Sequence, residues 1–166
     1  MRPNITYNEY MLKVYFDSCI YNRPFDDYQR DEKIFIEAMA FYVALHLVES
    51  GHIETIGSDA LLYENELTVD TERKKRVKTY IDKASNFIEL SESNINRAKE
   101  LIQLGFKSLD ALHIAMAEEA SAEYFVTCDN RIIKKGREVQ DKLKVKVRSI
   151  LDLIAEVVYV KNIEGN

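Results

Sequence analysis

Four acidic residues, Asp17, Glu64, Asp110 and Asp129, stand where the surrounding sequence can bring carboxylates to one place. Asp17 and Asp129 each come just after a short apolar run, 12–16 and 124–127, that reads as a buried strand, and open parallel sheets bind ligands beyond the carboxyl ends of their strands. Asp110 falls in the first turn of an expected helix, where the dipole and free backbone N–H groups favour negative charge. Glu64 rides on another helix. Carboxylates gathered without a cation repel and raise one another's pKa values, and hard oxygen ligands are what Mg2+ or Mn2+ prefers. Singly, each residue has an ordinary role: a turn former for Asp17 and Asp129, a dipole-compensating acid for Asp110, a solvated helix residue for Glu64. Convergence of all four would make divalent metal binding the natural explanation.

The elements that must position them follow from punctuation and periodicity. The run 12–16 is a first strand, and Pro24 with its acidic neighbours makes 22–27 irregular. Ile34, Phe35, Ala38, Phe41, Tyr42, Leu45 and Val48 recur at helical spacing up to the stop at Gly51. A second strand is expected at 53–57, and Ser58 or Asp59 caps the helix that carries Glu64. A basic amphipathic helix covers 71–86, a short strand 87–90, and a helix 93–104 that Gly105 ends. Ser108 is expected to cap a helix over 109–120. A strand at 124–127, a short helix from Arg131, a last strand at 145–150 and a closing helical stretch complete the chain. Alternation of this kind predicts α/β architecture, a parallel sheet with helices on both faces.

At 166 residues and 46% hydrophobic content the chain suits one domain, 1–166, with a core at about 12–150 and a closing helix or tail at 151–166. No repeat, low-complexity tract or Gly/Ser/Pro linker divides it. The net charge of -5 opposes phosphate binding on average, so local Lys/Arg clusters or bound cations would have to supply positive potential. Cys19 and Cys128 lack metal-ligand or disulfide-framework spacing, which fits a reducing cytoplasm. Neither an export signal nor a membrane span is expected.

The segments Val14-Tyr15-Phe16-Asp17-Ser18, Ser58-Asp59-Ala60-Leu61-Leu62-Tyr63-Glu64, Ser108-Leu109-Asp110-Ala111-Leu112-His113-Ile114-Ala115 and Phe125-Val126-Thr127-Cys128-Asp129 resemble the ordered acidic motifs of PIN-domain proteins. Their order spans residues 14–129, and the Asp-Ala-Leu-His-Ile-Ala run followed by strand-Thr-x-Asp is the most specific piece. The resemblance implies a three-layer α/β/α fold with about five parallel strands, with Asp17 and Asp129 ending neighbouring central strands. It implies metal-dependent hydrolysis of RNA phosphodiester bonds, with Asp17, Glu64, Asp110 and Asp129 as ligands of Mg2+ or Mn2+ and Ser18 and Thr127 supporting them. Many PIN proteins of this size resemble VapC toxins of toxin–antitoxin pairs, which implies an antitoxin partner and a homodimer.

Other residues carry weaker signals. Arg73, Lys74 and Lys75 could track RNA phosphates or form a solvated helix face. Glu66 rivals Glu64, but the two lie about 200 degrees apart around one helix, so only one can face the site. The Tyr63-Glu64 pair and its spacing from Ser58 favour Glu64. His113, one turn after Asp110, reads as a packed or hydrogen-bonded core histidine, and Cys19 and Cys128 as small buried fillers. A dehalogenase-like phosphatase would need an Asp-x-Asp pair, which Cys19 breaks, and no P-loop occurs. The alternative of a different class is a non-catalytic PIN-like scaffold that binds RNA or protein.

Overall fold

Strand β1 (Leu12–Phe16) is almost continuously apolar, and Val14, Tyr15 and Phe16 are buried, as befits a strand covered on both faces. A computed structural model describes residues 11–164; the first ten residues and the last two of the expected 1–166 unit lie outside the described residues. Beside β1 run β2 (Ile53–Ser58) and β4 (Tyr124–Thr127), with β3 (Asn86–Ile88) and β5 (Lys146–Ser149) at the edges. All pairs are parallel, in the order β3-β2-β1-β4-β5. The edges are short, and Lys146 and Arg148 put charge on β5, which discourages further strand pairing.

Eight helices among the described residues connect these strands: α1 (Ser18–Asn22), α2 (Glu32–Glu49), α3 (Asp59–Glu66), α4 (Thr71–Ile81), α5 (Glu92–Gln103), α6 (Ser108–Glu119), α7 (Asn130–Glu138) and α8 (Ile150–Glu164). The chain leaves β1 toward one edge and crosses back to β4 on the other side. Right-handed crossovers therefore put α2 and α4 on one face and α5, α6 and α7 on the other. Contacts agree, since α2 packs on α8 and α5 packs on α6. This is the three-layer α/β/α, PIN-like arrangement the motifs led us to expect.

Local chemistry sets the boundaries. Asp17, Asp31, Ser58, Asp70, Ser91 and Asp129 each cap a following helix by accepting a backbone N–H. Gly51 and Gly105 follow their helices at φ of 77° and 108°, a region that favours glycine.

Three expectations need correction. The basic helix ends at Ile81 rather than at 86, because Asn86 is already paired with Ile56 in the sheet. Ser108 does not cap α6: Lys107 holds the extended cap position without a side-chain bond, and its carbonyl accepts the N–H of Ala111 at 2.8 Å. Phe35 and Tyr42 belong to the outer side of α2, whose inner side is Glu37, Ala38, Ala40, Phe41, Ala44 and Leu47. A helix apolar on every side offers no phase to periodicity. The buried Glu37 carboxylate is held by Arg23 at 3.3 Å and Lys33 at 3.4 Å.

Candidate metal centre

The strand order reverses between β1 and β4, and Asp17 and Asp129 lie just beyond the carboxyl ends of these two strands. The Asp17 N–H extends the ladder to the Val126 carbonyl at 2.9 Å, so its backbone is an exit from the sheet. Its Oδ1 accepts the Ser18 N–H at 2.8 Å, and its Oδ2 accepts the Thr127 hydroxyl at 2.7 Å. The Thr127 oxygen in turn accepts the Asp129 N–H at 3.1 Å. One hydroxyl thus ties the side chain after β1 to the backbone after β4. Asp17 is 6% exposed, too enclosed for its carboxylate to be an ordinary solvated turn former.

Helix α3 brings Glu64 to the same place. Its Oε1 meets His113 Nε2 of α6 at 2.5 Å. Burial would raise the Glu64 carboxyl, yet its hydrogen bond with His113, with help from the Ser18 hydroxyl, holds it below its ordinary value. Glu66 lies on the outside of α3 and pairs with Lys74 at 3.4 Å. Ligand atoms of Asp17, Glu64 and His113 all lie within 4.8 Å of one another, although both nitrogens of His113 are engaged, on Glu64 and Tyr15, which leaves the carboxylates as the free donors.

Asp110 and Asp129 stand outside that trio, but Asp110 feels its charges. Burial, and then the charges of Asp17, Asp129 and Glu64, push the half-buried Asp110 carboxyl above its ordinary value, with His113 acting in the opposite sense. Such crowding is what a divalent cation relieves, and the oxygen-rich donor set fits Mg2+ or Mn2+. Asp129 is pinned differently: Arg131 reaches its Oδ2 at 2.7 Å, and that bond holds its carboxyl below the usual range.

The proposed RNA contacts separate. Arg73 is turned inward, on Asn22 Oδ1 at 2.8 Å and Asp26 Oδ1 at 2.6 Å, and stacks near Phe25. Lys74 pairs with Glu66, while Lys75 is exposed and 3.8 Å from Glu72. Cys19 lies 3.5 Å from Asp17 Oδ2 and accepts the Cys128 N–H at 3.1 Å. The nearby Cys128 thiol, burial and the Asp17 charge all push the Cys19 thiol up, so it stays protonated.

Sequence reasoning placed His113 in the core, and it is indeed completely buried and hydrogen-bonded. What that reading missed is the partner: the imidazole bonds Glu64 directly. Its position three residues after Asp110 was the available signal, since residues i and i+3 share a helix face.

No family model and no curated protein matches the sequence. Among solved structures, a chain in the crystal structure of VapBC2 from Rickettsia felis bound to a DNA fragment from their promoter is similar with a TM-score of 0.52 and 14% identity, over 83% of this chain and 98% of that chain. At that identity the likeness is one of fold.

Proposed function

We propose that the chain is a divalent-metal-dependent endoribonuclease of the PIN type and the toxin of a toxin–antitoxin pair. The observation that carries this reading is the meeting of Asp17, Glu64 and His113 at the β1/β4 switch point, with Asp110 crowded by the other acids. Asp17, Glu64, Asp110 and Asp129 would hold Mg2+ or Mn2+. Bound there, the metal supplies an activated water and neutralises charge developing on the phosphodiester. Thr127 and Ser18 orient the carboxylates through the hydroxyl contacts described above. Arg131 guards Asp129, and its exposed guanidinium is free to move to a phosphate once a cation takes over the carboxylate. Of the basic run on α4, Lys75 is the best placed for RNA, since Arg73 is engaged within the fold.

The similar structure is of VapBC2 bound to a DNA fragment from their promoter. An antitoxin partner and a second copy of the chain extend the reading, as does a cytoplasmic site of action. No helix of the described residues is long and apolar enough to cross a membrane.

The test is cleavage of single-stranded RNA by purified protein with Mg2+ or Mn2+, against a chelator control. Asp17→Asn and Asp129→Asn should each lower the rate by more than about a hundredfold, the upper end of the loss seen when only a supporting group is removed. Equal cleavage by wild type and both variants would assign the activity to a contaminant and end the proposal.

A further inference from the structure

Behind Glu64 runs a chain of buried polar groups that neither the ligand set nor the core requires. Ser58 accepts the Leu61 N–H at 3.1 Å as the cap of α3. Its hydroxyl lies 2.6 Å from the Tyr15 hydroxyl, which lies 2.6 Å from His113 Nδ1. The far side of the ring, Nε2, reaches Glu64 Oε1. Ser58, Tyr15 and His113 are all fully buried. The Tyr15 ring stacks on Phe125 at 5.6 Å and meets His113 edge-on at 5.7 Å, which leaves the phenol little freedom to turn.

Hydrogen counting gives this chain a direction. The Glu64 carboxylate can only accept, so Nε2 carries a hydrogen. With one hydrogen on the ring, Nδ1 accepts, and the Tyr15 hydroxyl is its donor. The single Tyr15 hydrogen is then spent, so the Tyr15 oxygen accepts from the Ser58 hydroxyl, while the Ser58 oxygen accepts the Leu61 N–H. Every group is satisfied once and the order closes without a gap. Burial keeps the Tyr15 phenol protonated, consistent with its donor role. A series of buried polar groups is costly where apolar side chains would pack, unless what it terminates on needs to be held.

We propose that Tyr15 and His113 are positioning residues for Glu64. Their one-way hydrogen-bond chain starts at the cap of α3 and returns to the same helix at Glu64, fixing one carboxylate oxygen and leaving the second for the cation. The inference rests on the metal-centre reading and assigns to it two residues outside the acidic set. Loss of the Tyr15 hydroxyl removes the donor to Nδ1. The ring then keeps its Nε2–H on Glu64 but loses the bond that fixes its other nitrogen, so imidazole and carboxylate are held less firmly.

The experiment combines 15N NMR of the metal-free protein with calorimetric titration of Mn2+ alone. His113, assigned by loss of its signals in His113→Gln, should show the Nε2–H tautomer in wild type. Tyr15→Phe, which keeps the ring volume, should leave the hydrogen on Nε2, move the Nδ1 resonance toward that of a nitrogen with an unbonded lone pair, and weaken Mn2+ binding about 10- to 100-fold, the range for supporting groups at metal ligands. An Nδ1–H tautomer in wild type overturns the proposal whether or not the variant folds. So does folded Tyr15→Phe that binds Mn2+ as tightly as wild type. Wild-type protein that binds no Mn2+ overturns instead the metal-centre reading on which the chain's role depends.

Discussion

Asp110 shows most directly what the cluster costs. Its carboxyl is raised by burial and by the neighbouring acids, so between the ordinary aspartate value and its own the folded state holds more protons than the unfolded one. Metal-free stability therefore falls as pH rises through that window. Glu64 behaves oppositely: its depressed carboxyl contributes stability present above the ordinary glutamate value and lost as pH falls through its own. Removing the crowded charge should help the metal-free protein. Asp110→Asn is expected to raise the metal-free melting temperature at pH 7 by roughly 1–3 °C, a small gain because solvent screens a half-exposed group. The same change should blunt the rise that Mn2+ gives wild type; a lower metal-free melting temperature in calorimetry would contradict this. Residue type, order and strand-end placement marked the four acids as candidates, and of these Asp17 and Glu64 fall in one ligand-sized group. Tyr15 and His113 were hidden, since a polar residue in an apolar stretch looks like core whether or not it holds something. The inward turn of Arg73 was equally hidden, because its partners Asn22 and Asp26 lie far away in sequence.

At the level of elements, strand and helix order followed from buried apolar runs, caps and glycine stops. Boundaries failed where tertiary pairing overrode local pattern, as when β3 claimed Asn86 from the preceding helix. Close approach of α7 to β5 was not legible either, because Gly136 within a helix looks only like a weak helix former. A Cβ there would lie 2.6 Å from Val147 Cγ2 and 2.7 Å from its Cβ. Gly136→Ala should thus destabilise the fold by about 1–3 kcal/mol despite alanine's better helix propensity. Val147→Ala in the same chain should recover part of that loss. Denaturant melts of the two single variants and the double variant give the coupling, and additive effects would mean that α7 moves aside freely.

For the molecule as a whole, the face that α2 turns outward is the least self-sufficient surface. Phe35, Ile36, Met39, Tyr42 and Val43 lie along it at helical spacing, each more than two-fifths exposed, with Tyr28 against Phe35. A contiguous apolar stripe of this kind is normally covered by protein. Under the toxin–antitoxin reading, Met39→Glu should lower the molar mass measured by light scattering or abolish binding of a co-expressed partner, with the melting temperature little changed; an unaltered mass and unaltered capture would remove the stripe from the assembly. The seam between β1 and β4 has a different consequence. Asp17 and its hydroxyl donor Thr127 are 110 residues apart, so the bond that ties the cluster together joins the first described strand to the fourth. During synthesis, β1 is made long before the strand that must lie against it, and a growing chain carries its first acids for most of that time with no neighbour to complete them. The cluster can close only after β4 lies beside β1 and brings Asp129 with it.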